Sequence, residues 1–137
     1  MKRLLVILAC VAMICMLSGC EFSFSTANIG SAVLARGYAG GNATGVTTSF
    51  HPSDNPLHCV VTLNNAPDGT TLKVDWVAVS VGRQHNYELD TTTLTTTNGE
   101  NIANFQISYP RAWPTGTYKA VIYLNDKLDR TLRFPIR

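Results

Sequence analysis

The chain has 137 residues, of which 15% are charged and 45% hydrophobic, with 11 Lys+Arg against 9 Asp+Glu and a formal net charge of +2. That length holds one domain with one core. With Lys2 and Arg3 set aside, nine basic residues face nine acidic ones and no basic run remains. This excludes the electrostatic footprint of a nucleic-acid binder and a polybasic hold on anionic lipid.

The N-terminus opens Met1-Lys2-Arg3, continues with uncharged, mostly apolar residues from Leu4 to Leu17, and ends Leu17-Ser18-Gly19-Cys20. The apolar run is shorter than the roughly 20 residues that span hydrocarbon. A basic start, a short apolar core and small residues before a cut are the three regions of a secretory signal. The ending resembles the lipobox of bacterial lipoproteins. That resemblance implies that residues 1–19 are a signal peptide and that Cys20 becomes the lipidated first residue, its sulphur carrying a diacylglyceryl group. The protein would then sit in the cell membrane or outer membrane, facing the periplasm or the exterior. Cys10 and Cys15 would leave with the signal and Cys20 would carry lipid, so Cys59 remains alone and no internal disulfide is expected.

In chain order, Phe22-Ser23-Phe24-Ser25-Thr26 alternates apolar and polar residues, the period of a half-buried strand. Ile29 to Leu34 either continues it or adds a second piece. Gly37 to Thr48, rich in Gly, Thr and Ser, reads as a flexible loop or the end of a tether. Residues 20–49 are therefore either first strands followed by a loop or a stalk, and the domain core is expected over 50–137, with 21 as the alternative start. Leu57 to Leu63 is β-rich and ends at Ala66-Pro67-Asp68-Gly69, where Pro favours a type I turn. Leu72, Val74, Trp76 and Ala78 share one face of the next strand, which Gly82 closes. His85 to Asp90 alternates again, and a threonine-rich run reaches Thr97. Asn98-Gly99 is a two-residue hairpin signal, because a type I′ turn needs φ > 0 at both positions. The following strand places Ala103, Phe105, Ile107 and Tyr109 on one face. Trp113 lies in a loop between Pro110 and Pro114. Tyr118, Ala120, Ile122 and Leu124 alternate with Lys119, Val121, Tyr123 and Asn125, and Asn125-Asp126 reads as a tight turn. Leu132, Phe134 and Ile136 mark a last strand, in which Pro135 suits a sheet edge or an outward-facing position near the strand end. Seven to nine short strands with regular turn signals predict an all-β fold, an antiparallel β-sandwich.

Gly116-Thr117-Tyr118-Lys119-Ala120 resembles the penultimate-strand motif of immunoglobulin-like domains, with a corner tyrosine two residues before the second core cysteine. Cys59 matches the first core cysteine and Trp76 the core tryptophan, whereas Ala120 stands in place of the second cysteine. The resemblance covers roughly residues 57–136. Phe22 to Ala27, Trp113 to Tyr118 and Tyr123 to Asp126 are also similar to immunoglobulin-like domains of bacterial lipoproteins. This implies a fold and an address, but no reaction.

Chemistry-bearing residues are sparse. A metal site would need His51, His58, His85, Cys59 and carboxylates to converge, yet His58 and Cys59 are adjacent on a strand and face opposite ways. No metal and no cofactor is expected. Cys59 reads as a small buried hydrophobe beside Leu57, Val61 and Trp76. The chain has no Gly-x-Ser-x-Gly elbow and no phosphate-binding glycine loop. Trp113, Tyr109 and Arg111 are the candidates for ligand or partner contact, unless Trp113 instead caps the end of the sandwich. These readings predict a non-enzymatic, membrane-anchored envelope lipoprotein that acts as an interaction or structural module. Its expected partners are membrane lipid through Cys20 and an envelope protein or glycan, with no nucleic acid. The alternatives are a carbohydrate-active or other hydrolytic enzyme, or an accessory subunit of an envelope assembly complex.

Overall fold

The computed structural model describes residues 26–137. Cys20 and its lipobox, like the Phe22–Ser25 part of the first expected strand, lie outside the described residues. Eight strands follow: β1 (Asn28–Ala39), β2 (Asn42–Val46), β3 (Leu57–Asn64), β4 (Thr71–Val81), β5 (Gln84–Thr95), β6 (Ile102–Ile107), β7 (Gly116–Leu124) and β8 (Lys127–Ile136). They form two four-stranded sheets in the orders β2-β1-β3-β6 and β5-β4-β7-β8. Every pairing between these strands is antiparallel. This is the β-sandwich that the alternation predicts, and it contains no helix among the described residues.

Alternation decides which side chains meet between the sheets. On β4, Leu72, Val74, Trp76 and Ala78 are all buried, while the residues between them are half-exposed. Trp76 pairs with Ala120 across β4 and β7, and both are almost wholly enclosed. Cys59, from the facing sheet, is also fully enclosed in this core. Cys59 and Ala120, both small, belong to one core cluster, and Cys59 is a free, buried thiol. The Phe134 ring meets Trp76 edge-on at 6.3 Å and Phe50 edge-on at 5.3 Å.

Three local expectations are corrected. Gly37 to Val46, most of that stretch, is not a loose loop but the β1–β2 hairpin, in which Gly37 pairs with Thr44 and Ala39 with Asn42. β2 is an edge strand exposed along nearly its whole length, so no burial imposes an alternating pattern on it. The turn after β3 sits one residue later than expected: Thr70 N donates to Pro67 O at 3.1 Å, leaving Asp68 and Gly69 at the corners. Asn98-Gly99 has the expected positive φ values, 53° and 74°, and Glu100 N donates to Thr97 O at 3.1 Å. The flanking strands nevertheless part company. β5 pairs with β4 and β6 with β3, so this turn carries the chain from one sheet to the other.

Phe50, unmarked by any periodicity, is 1% exposed. Its N–H donates to Pro135 O and its carbonyl accepts from Arg137 N, each at 3.0 Å. This clamps the preceding loop onto the free edge of β8. Pro135 lies on that edge strand, as a residue without an amide hydrogen should.

Candidate functional site

The end of the sandwich around β7 is built on a corner. Tyr118, buried on β7, donates its hydroxyl to Pro114 O at 2.7 Å. Burial, with a smaller contribution from Tyr109, pushes its pKa up to about 12, so the group stays a donor at any ordinary pH. Gly116 lets β7 begin there. A Cβ at Gly116 would lie 2.6 Å from Ser80 O, at a φ of +156°.

Trp113 is 3% exposed, which makes it a cap on the core. Its backbone N–H donates to Pro52 O at 2.9 Å. Its ring meets Tyr118 edge-on at 6.0 Å and stacks on Tyr109 at 5.1 Å with planes 26° apart. Tyr118 in turn stacks on Phe134 at 5.7 Å. Asn55 holds the backbone of Tyr109 at both ends: its Oδ1 accepts from Tyr109 N at 3.2 Å, and its Nδ2 donates to Tyr109 O. The Arg111 guanidinium lies over the Tyr109 ring, 5.6 Å from the centroid. Of the three aromatic-loop candidates, the structure thus buries Trp113, half-buries Tyr109 and exposes Arg111. Trp113 cannot offer a ring face to a ligand, because both Tyr109 and Tyr118 pack on it.

Tyr109 and Trp113 close one end of a cleft of about 330 Å³, whose walls are Leu89 and Asp90 from β5 and Gln106, Ile107 and Ser108 from and beyond β6. Arg111 is not part of its lining. Asp90, Gln106 and Ser108 carried no signal in the sequence. They meet only because β5 and β6 end neighbouring edges of opposite sheets.

The other candidates are dispersed. His58 is buried, with Nδ1 2.9 Å from Asn104 Oδ1. His51 Nδ1 lies 3.2 Å from Arg137 O, and His85 is exposed on β5. Among the described residues, no three His, Cys, Asp or Glu side chains gather into a metal-binding group. Burial raises the Cys59 thiol to about 12, so almost no thiolate exists at neutral pH. Cys59→Ala is expected to cost on the order of 1 kcal/mol, a packing loss usual for point mutants. In the native protein Cys59 should resist thiol reagents until unfolding, and rapid labelling would contradict its burial.

Two antiparallel four-stranded sheets, a buried Trp76 and the Tyr118 corner define an immunoglobulin-like β-sandwich. The chain is similar in fold to an immunoglobulin-like protein from Pseudomonas aeruginosa, with a TM-score of 0.57 and 13% identity over 87% of this chain and 100% of that one. It is also similar to part of a β-glucosidase from Listeria innocua, determined in complex with laminaribiose, with a TM-score of 0.51 and 12% identity. That match covers 85% of this chain but only 16% of the enzyme. The same enzyme with gluconolactone gives a TM-score of 0.50. At these identities the likeness is one of fold alone. No protein-family profile and no curated protein matches the chain.

Proposed function

We propose that this protein is a non-enzymatic, membrane-anchored envelope lipoprotein whose immunoglobulin-like sandwich serves as an interaction or structural module. The observation that carries the reading is the Leu17-Ser18-Gly19-Cys20 ending of a short apolar segment, with a β-sandwich close behind it. Seven residues lie between Cys20 and Asn28, the start of β1. At an extended reach of about 3.5 Å per residue, the domain would be held within roughly 30 Å of the lipid. Acylation at Cys20 would place it on the cell membrane or outer membrane, facing the periplasm or exterior. The non-enzymatic part is supported by the state of the reactive groups: Cys59 is enclosed and protonated, and His58 is buried against Asn104. An accessory role in an envelope assembly complex is the same reading with a particular partner.

Cys20→Ser is expected to abolish incorporation of a labelled fatty acid and to prevent normal maturation, so that the uncleaved precursor accumulates. Mass spectrometry that found an unmodified Cys20 in membrane-bound protein would refute the anchor. In-cell crosslinking of the lipidated protein should capture a reproducible envelope protein or glycan. Turnover of glycan, peptide or ester substrates by the purified protein would replace this reading with the hydrolase.

A further inference from the structure

β5 and β6 each end their sheet, and they lie side by side along one flank of the sandwich. Leu63 N donates to Asn101 O at 2.7 Å, which sets the alternation along β6. Ala103, Phe105 and Ile107 turn their peptide groups toward β3, whereas Ile102, Asn104 and Gln106 turn theirs to the open edge. Where that edge reaches Gln106, β5 is bulged: Asp90 pairs with Trp76 and Glu88 with Val77, leaving Leu89 as the extra residue. Leu89, at the bulge, and Asp90 line the cleft together with Gln106 and Ser108. Trp113, which also lines it, carries a buried Nε1–H with no acceptor among the described residues.

The lining has two characters. Leu89, Ile107 and Tyr109 supply an apolar wall. Asp90 supplies acceptors only, while Gln106 and Ser108 supply both donors and acceptors. An anionic ligand would meet the Asp90 carboxylate, the one formal charge in the lining, and be repelled. A cationic ligand brings donors only, leaving the amide and hydroxyl hydrogens of Gln106 and Ser108 without acceptors. A ring bearing several neutral hydroxyls satisfies both kinds of group, because each hydroxyl donates and accepts, and its C–H face can lie on the apolar wall. A volume of about 330 Å³ falls at the small end of ligand sites, which run roughly 300–1,000 Å³.

We infer that the cleft between the Leu89–Asp90 bulge and the Gln106–Tyr109 segment binds the neutral pyranose ring of a glycan. This rests on the reading of the domain as an interaction module and specifies what it grips. Asp90 and Gln106 hold the hydroxyls, and Tyr109, stacked on Trp113 and pinned by Asn55, forms a rigid end wall.

Saturation-transfer NMR on the full-length protein in detergent tests it, with methyl β-glucopyranoside, N-acetylglucosamine, cellobiose and glucuronic acid as probes. At least one neutral sugar should receive transfer, and glucuronic acid should receive less. Asp90→Ala and Gln106→Ala alter exposed side chains and should leave the melting temperature unchanged. Each should weaken the sugar's affinity by roughly tenfold or more, the loss expected for a hydrogen bond to a charged or well-placed polar group. No transfer to any neutral sugar, or transfer indifferent to both substitutions, would overturn the assignment. If either result came while in-cell crosslinking still captured a reproducible protein partner, the glycan cleft would fall and the interaction module would stand.

Discussion

Trp113→Ala is expected to cost about 3–5 kcal/mol, the range for removing a large buried aromatic, and to lower the melting temperature by roughly 10 °C or more. The ring fills the end of the core between Tyr109 and Tyr118, and its removal strips a packing partner from each. It also frees the loop whose Pro114 carbonyl accepts the Tyr118 hydroxyl. Trp113→Phe should be far milder, because it keeps a ring in place and removes an indole N–H that is buried without an acceptor among the described residues. An unpaired buried donor costs about 1–3 kcal/mol, which offsets part of the lost volume. With Trp76 replaced by Phe, Trp113 fluorescence should be blue-shifted and poorly quenched by iodide. A melting temperature left intact by Trp113→Ala, with a readily quenched signal, would mean that the ring faces solvent and is free for recognition.

Gly116→Ala should cost roughly 3 kcal/mol despite adding one methyl group. The new Cβ would stand 2.6 Å from Ser80 O and 3.1 Å from Val81 Cα, both backbone atoms that cannot swing aside. Relief requires β7 to shift against β4, in the strand pair that carries Trp76 and Ala120. Overpacking and a poorly populated backbone conformation each cost about 1–3 kcal/mol, and here they act together. Gly82→Ala is the control: its φ is also positive, at 57°, but its Cβ would meet nothing within 4 Å. That change should cost only the conformational penalty, about 1–2 kcal/mol. Urea unfolding of both variants separates the two effects. A Gly116→Ala protein no less stable than Gly82→Ala would show that the close approach to Ser80 carries no weight.

Much of the architecture was legible because burial leaves a periodic mark. Leu72 to Ala78 and Ala103 to Ile107 alternate since one face of each strand meets the opposite sheet. The Gly116 to Ala120 motif was legible for a different reason. A tyrosine corner needs a particular residue at each of a few consecutive positions, and such a requirement is local. Where burial is absent the signal fails, as in the β1–β2 hairpin, whose outer strand is exposed and whose glycines read as a loop. Phe50 was hidden because one aromatic residue in a loop has no period, and its place in the core depends on the distant carbonyl of Pro135.

What the sequence by itself determined about this protein is local: strand alternation, the positive φ at Asn98-Gly99 and Asn125-Asp126, and the corner at Tyr118. Backbone sterics and side-chain periodicity act within a few residues, so a reader of the chain meets them directly. The tertiary structure alone decided that the Asn98-Gly99 turn leads out of one sheet into the other. The local φ angles are the same in both outcomes; the choice falls to Phe105 and Ala103, which bury against the core as β6 pairs with β3. That partition leaves β5 and β6 as neighbouring open edges, and so brings Asp90 and Gln106 together in the lining of one cleft.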